Sequence, residues 1–281
     1  MDAEEKQKMS IYALNIRKHA LEAVYCAKSG HPGGSLSIAE VLAYLYFKEM
    51  NIDPKNPKWH ERDRFVLSKG HCSPALYSAL ALKGYFSIDE IKNFRRIGHF
   101  LQGHPDMKGV PGVDMSTGSL GQGISAACGI ALSAKLSGKN YRVYTILGDG
   151  ELEEGQVWEA AMFAAQYKLD NLCAYVDNNG LQIDGKIEGV MSPLPIPEKF
   201  RDFGFNVIEI NAHNFDEIEM AYNQAKTVKG KPTVIVGHSV KGKGVSFMEN
   251  DAGWHGTAPN DEQYAQAIRE LDAVLSQLEV Q

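Results

Sequence analysis

Two short turns, Gly148-Asp149-Gly150 and Asp177-Asn178-Asn179-Gly180, set a carboxylate (Asp149) and an amide oxygen (Asn179) thirty positions apart. Each turn follows an apolar run, Tyr141–Leu147 and Asn171–Val176, and a helix-like stretch from Glu153 to Lys168 lies between them. That length and order describe one strand–helix–strand unit, whose crossover makes the two strands parallel. Asp149 and Asn179 then project together from the carboxyl ends of the strands, where open α/β sheets take their ligands. A carboxylate, an amide oxygen and a nearby backbone carbonyl suit a hard cation such as Mg²⁺ or Ca²⁺. Mg²⁺ held this sparsely completes its shell with water and ligand phosphates. Glycines beside the aspartate let the backbone approach a diphosphate closely. The acidic first turn of the following helix opposes direct phosphate binding there. The pair reads as a metal-bridged diphosphate anchor; the competing reading is two ordinary turns after strands.

The elements that would position this pair alternate. Arg64–Leu67 reads as a short strand leading into Ser68-Lys69-Gly70-His71, and Gly121–Leu136 as a small-residue helix. Phe205–Ile210 and Pro232–Val236 read as strands, with a helix from about Asp216 to Val228 between them. Ser35–Met50 is expected as one buried helix capped by Ser35. The chain closes with an amphipathic helix, about 261–278, whose stripe of Ile268, Leu271, Leu275 and Leu278 predicts core packing. Strands alternating with helices predict an α/β fold, a parallel sheet with helices on both faces. With no linker or repeat in 281 residues, a single domain over 1–281 is expected.

Composition narrows the class. A net charge of −6 without a basic block argues against nucleic-acid binding, and no apolar run approaches membrane-spanning length. The polar, acidic start (Met1 to Lys6) does not read as a signal peptide, so a cytoplasmic protein is expected. Cys26, Cys72, Cys128 and Cys173 have no CxxC spacing and are expected as buried free thiols. Gly121-Gln122-Gly123-Ile124-Ser125-Ala126 matches a dinucleotide fingerprint, but neither the preceding strand nor the acidic residue downstream is present, so that reading is rejected.

The GDG turn followed by NN resembles the signature of thiamine-diphosphate enzymes. The wider sequence is similar to transketolases in six ordered segments. These are SGHPG at 29–33, DRFVLSKGH at 63–71, GHP at 103–105, TGSLGQG at 117–123, GDGELEEG at 148–155 and WHG at 254–256. The resemblance implies a thiamine-diphosphate-binding fold that uses thiamine diphosphate with Mg²⁺ (Ca²⁺ as an alternative). It implies Asp149, Asn179 and the Leu181 carbonyl as metal ligands, with Gly150 at the diphosphate. His71 and His255 match residues touching the diphosphate and donor, and His31 and His104 match residues bonding the donor's hydroxyls and developing alkoxide. Gly118 and Leu120 match backbone positions against the cofactor rings, and Lys241 a basic residue near the diphosphate. Glu154 matches a glutamate at a dimer interface linking two active sites.

Each assignment has a plainer competitor. A lone histidine is usually structural, Glu154 could be an ordinary first-turn glutamate, and Lys241 a solvated loop lysine. His19, His60, His99, His213 and His238 fit no family site and are expected to be structural. Gly33-Gly34-Ser35 and Ile183 depart from the family pattern, which bears on the donor pocket. A complete transketolase is more than twice this length, and its second domain carries the glutamate that activates the cofactor. The resemblance therefore implies the amino-terminal subunit of a split transketolase, acting in an α₂β₂ assembly with a subunit bearing the pyrimidine-binding domain. The reaction implied is two-carbon ketol transfer from a ketose phosphate such as xylulose 5-phosphate to an aldose phosphate such as ribose 5-phosphate. A split enzyme for a modified sugar, the α subunit of another thiamine-diphosphate enzyme, and a non-catalytic domain of the same fold are the alternatives.

Overall fold

The computed structural model describes residues 1–279; Val280 and Gln281, placed by the sequence in the same domain, lie outside the described residues. In chain order the elements are α1 (Ala3–Ala27), α2 (Pro32–Leu36), α3 (Ala39–Tyr44), β1 (Arg64–Leu67), α4 (Ser73–Lys83) and α5 (Gln122–Leu136). There follow β2 (Val143–Gly148), α6 (Gly155–Gln166), β3 (Leu172–Asn178), a small hairpin of β4 (Leu181–Gln182) and β5 (Gly185–Lys186), and α7 (Ile187–Val190). The chain ends with α8 (Ile196–Asp202), β6 (Asn206–Asn211), α9 (Phe215–Thr227), β7 (Thr233–His238) and α10 (Asp261–Glu279).

Five strands form one fully parallel sheet in the order β1-β2-β3-β7-β6. Alternation of side chains along each strand sends successive residues to opposite faces. Tyr144 and Ile146 of β2, Cys173 and Tyr175 of β3, and Ile235 of β7 join a core shared with α1, α3, α4 and α9. Val143 and Leu147, Ala174 and Val176, and Val234 and Val236 join a second core with α5, α6 and α8. Burial of both faces explains the near-continuous apolar strands. The parallel α/β fold expected from the sequence is the one observed. Among the described residues no helix is long and apolar enough to cross a membrane.

A third apolar cluster seats α10 on α1 and on the loop after β7. Leu271 and Ala267 are fully buried against Leu14, Leu21, Val245 and Met248, with Leu275 and Leu278 half-buried beside them. Burying Leu271 alone contributes about 2 kcal/mol. The loop backed in this way carries Lys241 and His255.

Three local expectations are corrected. Ser35–Met50 is not one helix: α2 begins at Pro32, α3 runs only from Ala39 to Tyr44, and a π-helical turn follows over Leu45–Glu49. Ser37 sits at the break, its hydroxyl donating toward Gly34 O (3.1 Å) and Asp177 Oδ2 (2.7 Å), a local bond that competes with helix continuation. The stretch from Glu153 is a 3₁₀ turn (Gly150–Glu153) followed by α6, so Glu154 is the N-cap of α6 and not a first-turn residue. Cys26 is exposed, because it lies on the outer side of the last turn of α1; the other three thiols are buried as expected.

Candidate active site

The site lies at the carboxyl edge of the sheet. Register places Gly148 beside Asp177 and Asp177 beside Gly237, so the turns after β2, β3 and β7 leave the sheet level with one another. The GDG and NNG turns are stitched together: Asp149 N–H donates to Asp177 O (3.2 Å), and Gly180 N–H donates to Asp149 Oδ2 (2.5 Å). Gly180 has φ +74°, the left-handed region that glycine enters without strain.

A cavity of about 380 Å³ opens above these turns. The sequence-derived residues His31, His71, His104 and His255 line it, as do Gly118, Leu120, Asp149 and Gly150. Asn179, Leu181 and Lys241 complete the set, and Ile183 stands at its edge, 64% exposed. Glu154 is not brought into the cavity. It is exposed at the start of α6, its Cβ packed over Gly121, where an added methyl would lie 2.8 Å away.

Three imidazoles form a triangle: the ring centroids of His31, His71 and His255 lie 5.1, 5.2 and 5.4 Å apart. Burial pushes their pKa values down, and fixed cations push them further. His31 falls to about 4 through burial and the charges of Arg95, His104 and Lys241. His255 falls to about 3 through burial and Lys241. His71 lies well below its usual range through burial and Lys69, and His104 is lowered by burial and Arg95. At neutral pH all four are neutral rings, each with one donor and one acceptor nitrogen.

The cations beneath them have different partners. Lys241 is buried with no carboxylate in contact among the described residues; its Nζ meets the carbonyl of Leu181 (3.0 Å) and His255 Nδ1 (2.9 Å). Burial and the neighbouring Lys69 lower its pKa to about 8. Asp149 is also buried, and burial with the nearby Asp177 charge raises it to about 6 despite its two backbone N–H bonds.

A divalent cation fits this donor set. Among the described residues Asp149 is a buried carboxylate without a countercharge in contact and the Asn179 amide oxygen accepts only from Leu181 N–H (3.1 Å), and the Leu181 carbonyl has a second lone pair. These are hard oxygen donors. Among the described residues there is no group of three His, Cys, Asp or Glu side chains that could hold a metal ion, so a cation here would rest on one carboxylate, one amide and one backbone carbonyl. A diphosphate fits the glycine backbone at Gly150 and the two buried lysines, Lys69 and Lys241.

The structure adds residues that the motif reading missed. Lys69 is buried against Asp177 (2.6 Å) and donates to Gly34 O (2.9 Å). Asp177 also accepts from Ser37, Ser239 and Asn179, and although burial alone would raise it, Lys69 holds its carboxyl below the usual range. Glu151 accepts from Ser68 Oγ (2.5 Å), Gly121 N–H (2.9 Å) and Gly148 N–H (3.0 Å), joining three motif segments through one carboxylate. Gln182 closes the side near Gly150. The signal for Lys69 was a lysine in a glycine-bounded turn directly after a strand; nothing local marked Glu151.

The family model of the transketolase thiamine diphosphate binding domain matches residues 8–274. The chain belongs to the transketolase family. It is 51% identical over 257 residues to a 6-deoxy-6-sulfo-D-fructose transketolase subunit of Clostridium sp. (strain MSTE9), covering 92% of this chain and 94% of that one. It is 44% identical to an apulose-4-phosphate transketolase subunit of Phocaeicola vulgatus, covering 94% and 93%. The crystal structure of a transketolase variant from Pichia stipitis superposes with a TM-score of 0.88 at 34% identity, over 96% of this chain and 44% of that one. This transketolase-family chain is thus of the length of the named subunits and spans less than half of that longer enzyme.

Proposed function

We propose that the chain is the diphosphate-binding subunit of a two-subunit transketolase. It forms a single domain and acts in the cytoplasm, in an α₂β₂ assembly with a subunit that supplies the pyrimidine-binding domain. The observation carrying this reading is the convergence of the GDG and NNG turns, two buried lysines and four neutral histidines in one cavity, on a chain matched nearly end to end by transketolase subunits.

Asp149, Asn179 and the Leu181 carbonyl would hold Mg²⁺, with Ca²⁺ as a substitute. His71, His255, Lys241 and the backbone at Gly150 would hold the diphosphate, and Gly118 and Leu120 the rings. Thiamine diphosphate, when bound, supplies the carbon nucleophile and the electron sink for breaking a carbon–carbon bond. The chain's own residues bind, orient and exclude water. Because His31 and His104 are neutral, each can give a hydrogen bond to a sugar hydroxyl and accept one from it, and stabilise an alkoxide by donating. Glu154 would act outside the cavity, at the contact between two copies of this chain.

The reaction proposed is two-carbon ketol transfer from xylulose 5-phosphate to ribose 5-phosphate, as in pentose phosphate metabolism. The test is turnover of those sugars with thiamine diphosphate and Mg²⁺, by the chain alone and co-expressed with its candidate partner. Activity only in the pair supports the proposal. Equal activity from the chain alone removes the two-subunit reading. A stable, cofactor-loaded pair that turns over 6-deoxy-6-sulfo-D-fructose or apulose 4-phosphate but neither pentose phosphate overturns the sugar assignment.

A further inference from the structure

His31 and His104 reach the same cavity from separate loops, one entering α2 and the other following a long irregular stretch after α4. The loop of His104 is held from below by α4: Tyr77 OH donates to Gln102 O (3.0 Å) and His104 O (2.9 Å), and Ser73 Oγ donates to Gly103 O (2.8 Å). None of these bonds reaches the loop of His31. The Arg95 side chain touches both loops, and it belongs to none of the family segments above.

We propose that Arg95 is a positioning residue for the two sugar-facing histidines, its guanidinium clamping the His31 loop to the His104 loop and fixing a positive charge beside both rings. This rests on the function proposed above. Arg95 Nη1 donates to Ser29 Oγ (2.5 Å), two residues before His31. Its guanidinium lies against Gly103, next to His104, so closely that a Cβ there would sit 2.8 Å from Nε and 3.2 Å from Nη2. Gly103 is the residue type that permits this approach. The backbone is committed to the same arrangement: Arg95 N–H donates to Leu101 O (2.8 Å), and Arg95 has φ +61°, an uncommon conformation for a side chain of this kind.

The charge is uncompensated. Arg95 Nε is buried without a hydrogen-bond partner among the described residues, and burial lowers its pKa with no carboxylate beside it to oppose the shift. His31 Nδ1 is likewise buried without a partner there. The groups facing His31 are Arg95, His104, Lys241, His71 and His255; the charged group facing His104 is Arg95. Burial does most to keep both rings in the neutral form that both donates and accepts, and Arg95, the one cation among the described residues common to both, adds to it.

Three variants test this: Arg95→Gln loses the charge and the fork, Arg95→Lys keeps the charge and loses the fork, and Ser29→Ala removes one anchor with little risk to folding. In the cofactor-free chain, imidazole NMR signals assigned through His31→Gln and His104→Gln should titrate at higher pH in Arg95→Gln, by at least about 0.5 unit. Arg95→Lys should titrate as wild type. In the reconstituted enzyme all three should lower kcat/KM for the ketose, by at least about tenfold in the Arg95 variants and about threefold in Ser29→Ala, at unchanged thiamine diphosphate affinity. Unchanged His31 and His104 titration in folded Arg95→Gln, unchanged sugar kinetics, or loss of cofactor affinity in step with kcat/KM overturns the proposal. A wild-type pair without ketol transfer would instead fail the function above, and the titration arm would still decide whether Arg95 governs the rings.

Discussion

Lys69 Nζ lies 2.6 Å from Asp177 Oδ2 on the floor of the cleft, and neither side chain is more than 2% exposed. The pair is completed by the hydroxyls of Ser37 and Ser239, the Asn179 amide and the Gly34 carbonyl, so every charge taken from water has several partners. Removing one member leaves the other charged, buried and unpaired.

Lys69→Met should therefore destabilise the chain by about 3–5 kcal/mol, more than the loss of a surface pair, whose median is about 0–1 kcal/mol. Urea unfolding of the cofactor-free chain measures this. The double variant Lys69→Met with Asp177→Asn should recover part of the loss, because the stranded charge is gone.

Asp149→Ala removes the one anionic ligand of the proposed cation site. Thiamine diphosphate affinity in Mg²⁺ should fall at least about tenfold, or about 1.4 kcal/mol. The residual affinity measured in a chelator should be the same for variant and wild type. Calorimetry on the reconstituted complex provides both numbers.

Glu40 gives a pH-dependent prediction away from the cleft. Burial would raise its carboxyl, yet Arg17, whose Nη2 donates to both carboxylate oxygens (2.7 and 2.8 Å), and His213 (3.2 Å) hold it down at about 2. A folded-state value below the unfolded one means that the stabilisation is present above the unfolded pKa and fades as pH falls toward the folded one. The shift corresponds to about 3 kcal/mol. Glu40→Gln should be that much less stable at pH 7, and the gap to wild type should narrow between pH 4.5 and 2. A gap of constant size across that range would show that the lost contact is not a charge effect.

Gly123 allows α5 to start directly against the end of β1, where an added Cβ would lie 2.5 Å from the Cα of Ser68. Gly123→Ala must push backbone against backbone. A loss of about 1–3 kcal/mol is expected, visible as a lower Tm, and cofactor affinity should weaken with it because Ser68 leads into the Lys69 turn.

The strands, their parallel direction and the residues at their carboxyl ends were legible because strand periodicity and turn chemistry are local signals. Asp149 and Asn179 sit where those signals place them, and the four histidines singled out by the resemblance line the same cavity. Contacts between distant segments were not legible. The partnership of Lys69 with Asp177 spans 108 positions and depends on which strands become neighbours. Ser37 looked like a helix residue until Asp177 supplied a better partner for its hydroxyl. Glu154 reads as a motif residue, yet it is exposed and lies outside the cavity, which nothing in its turn signals.

Glu151 places a constraint on how this sequence can change over time. Because one carboxylate accepts from Ser68, Gly121 and Gly148, three stretches far apart in the chain share a single joint. Ser68 gives a side-chain donor and the two glycines backbone N–H groups, so a change that moves the backbone of any one stretch shifts the hydrogen bonds available to the other two. These segments should drift together or not at all, and a chimera that exchanges only one of them with a distant relative should fold with a misaligned cleft.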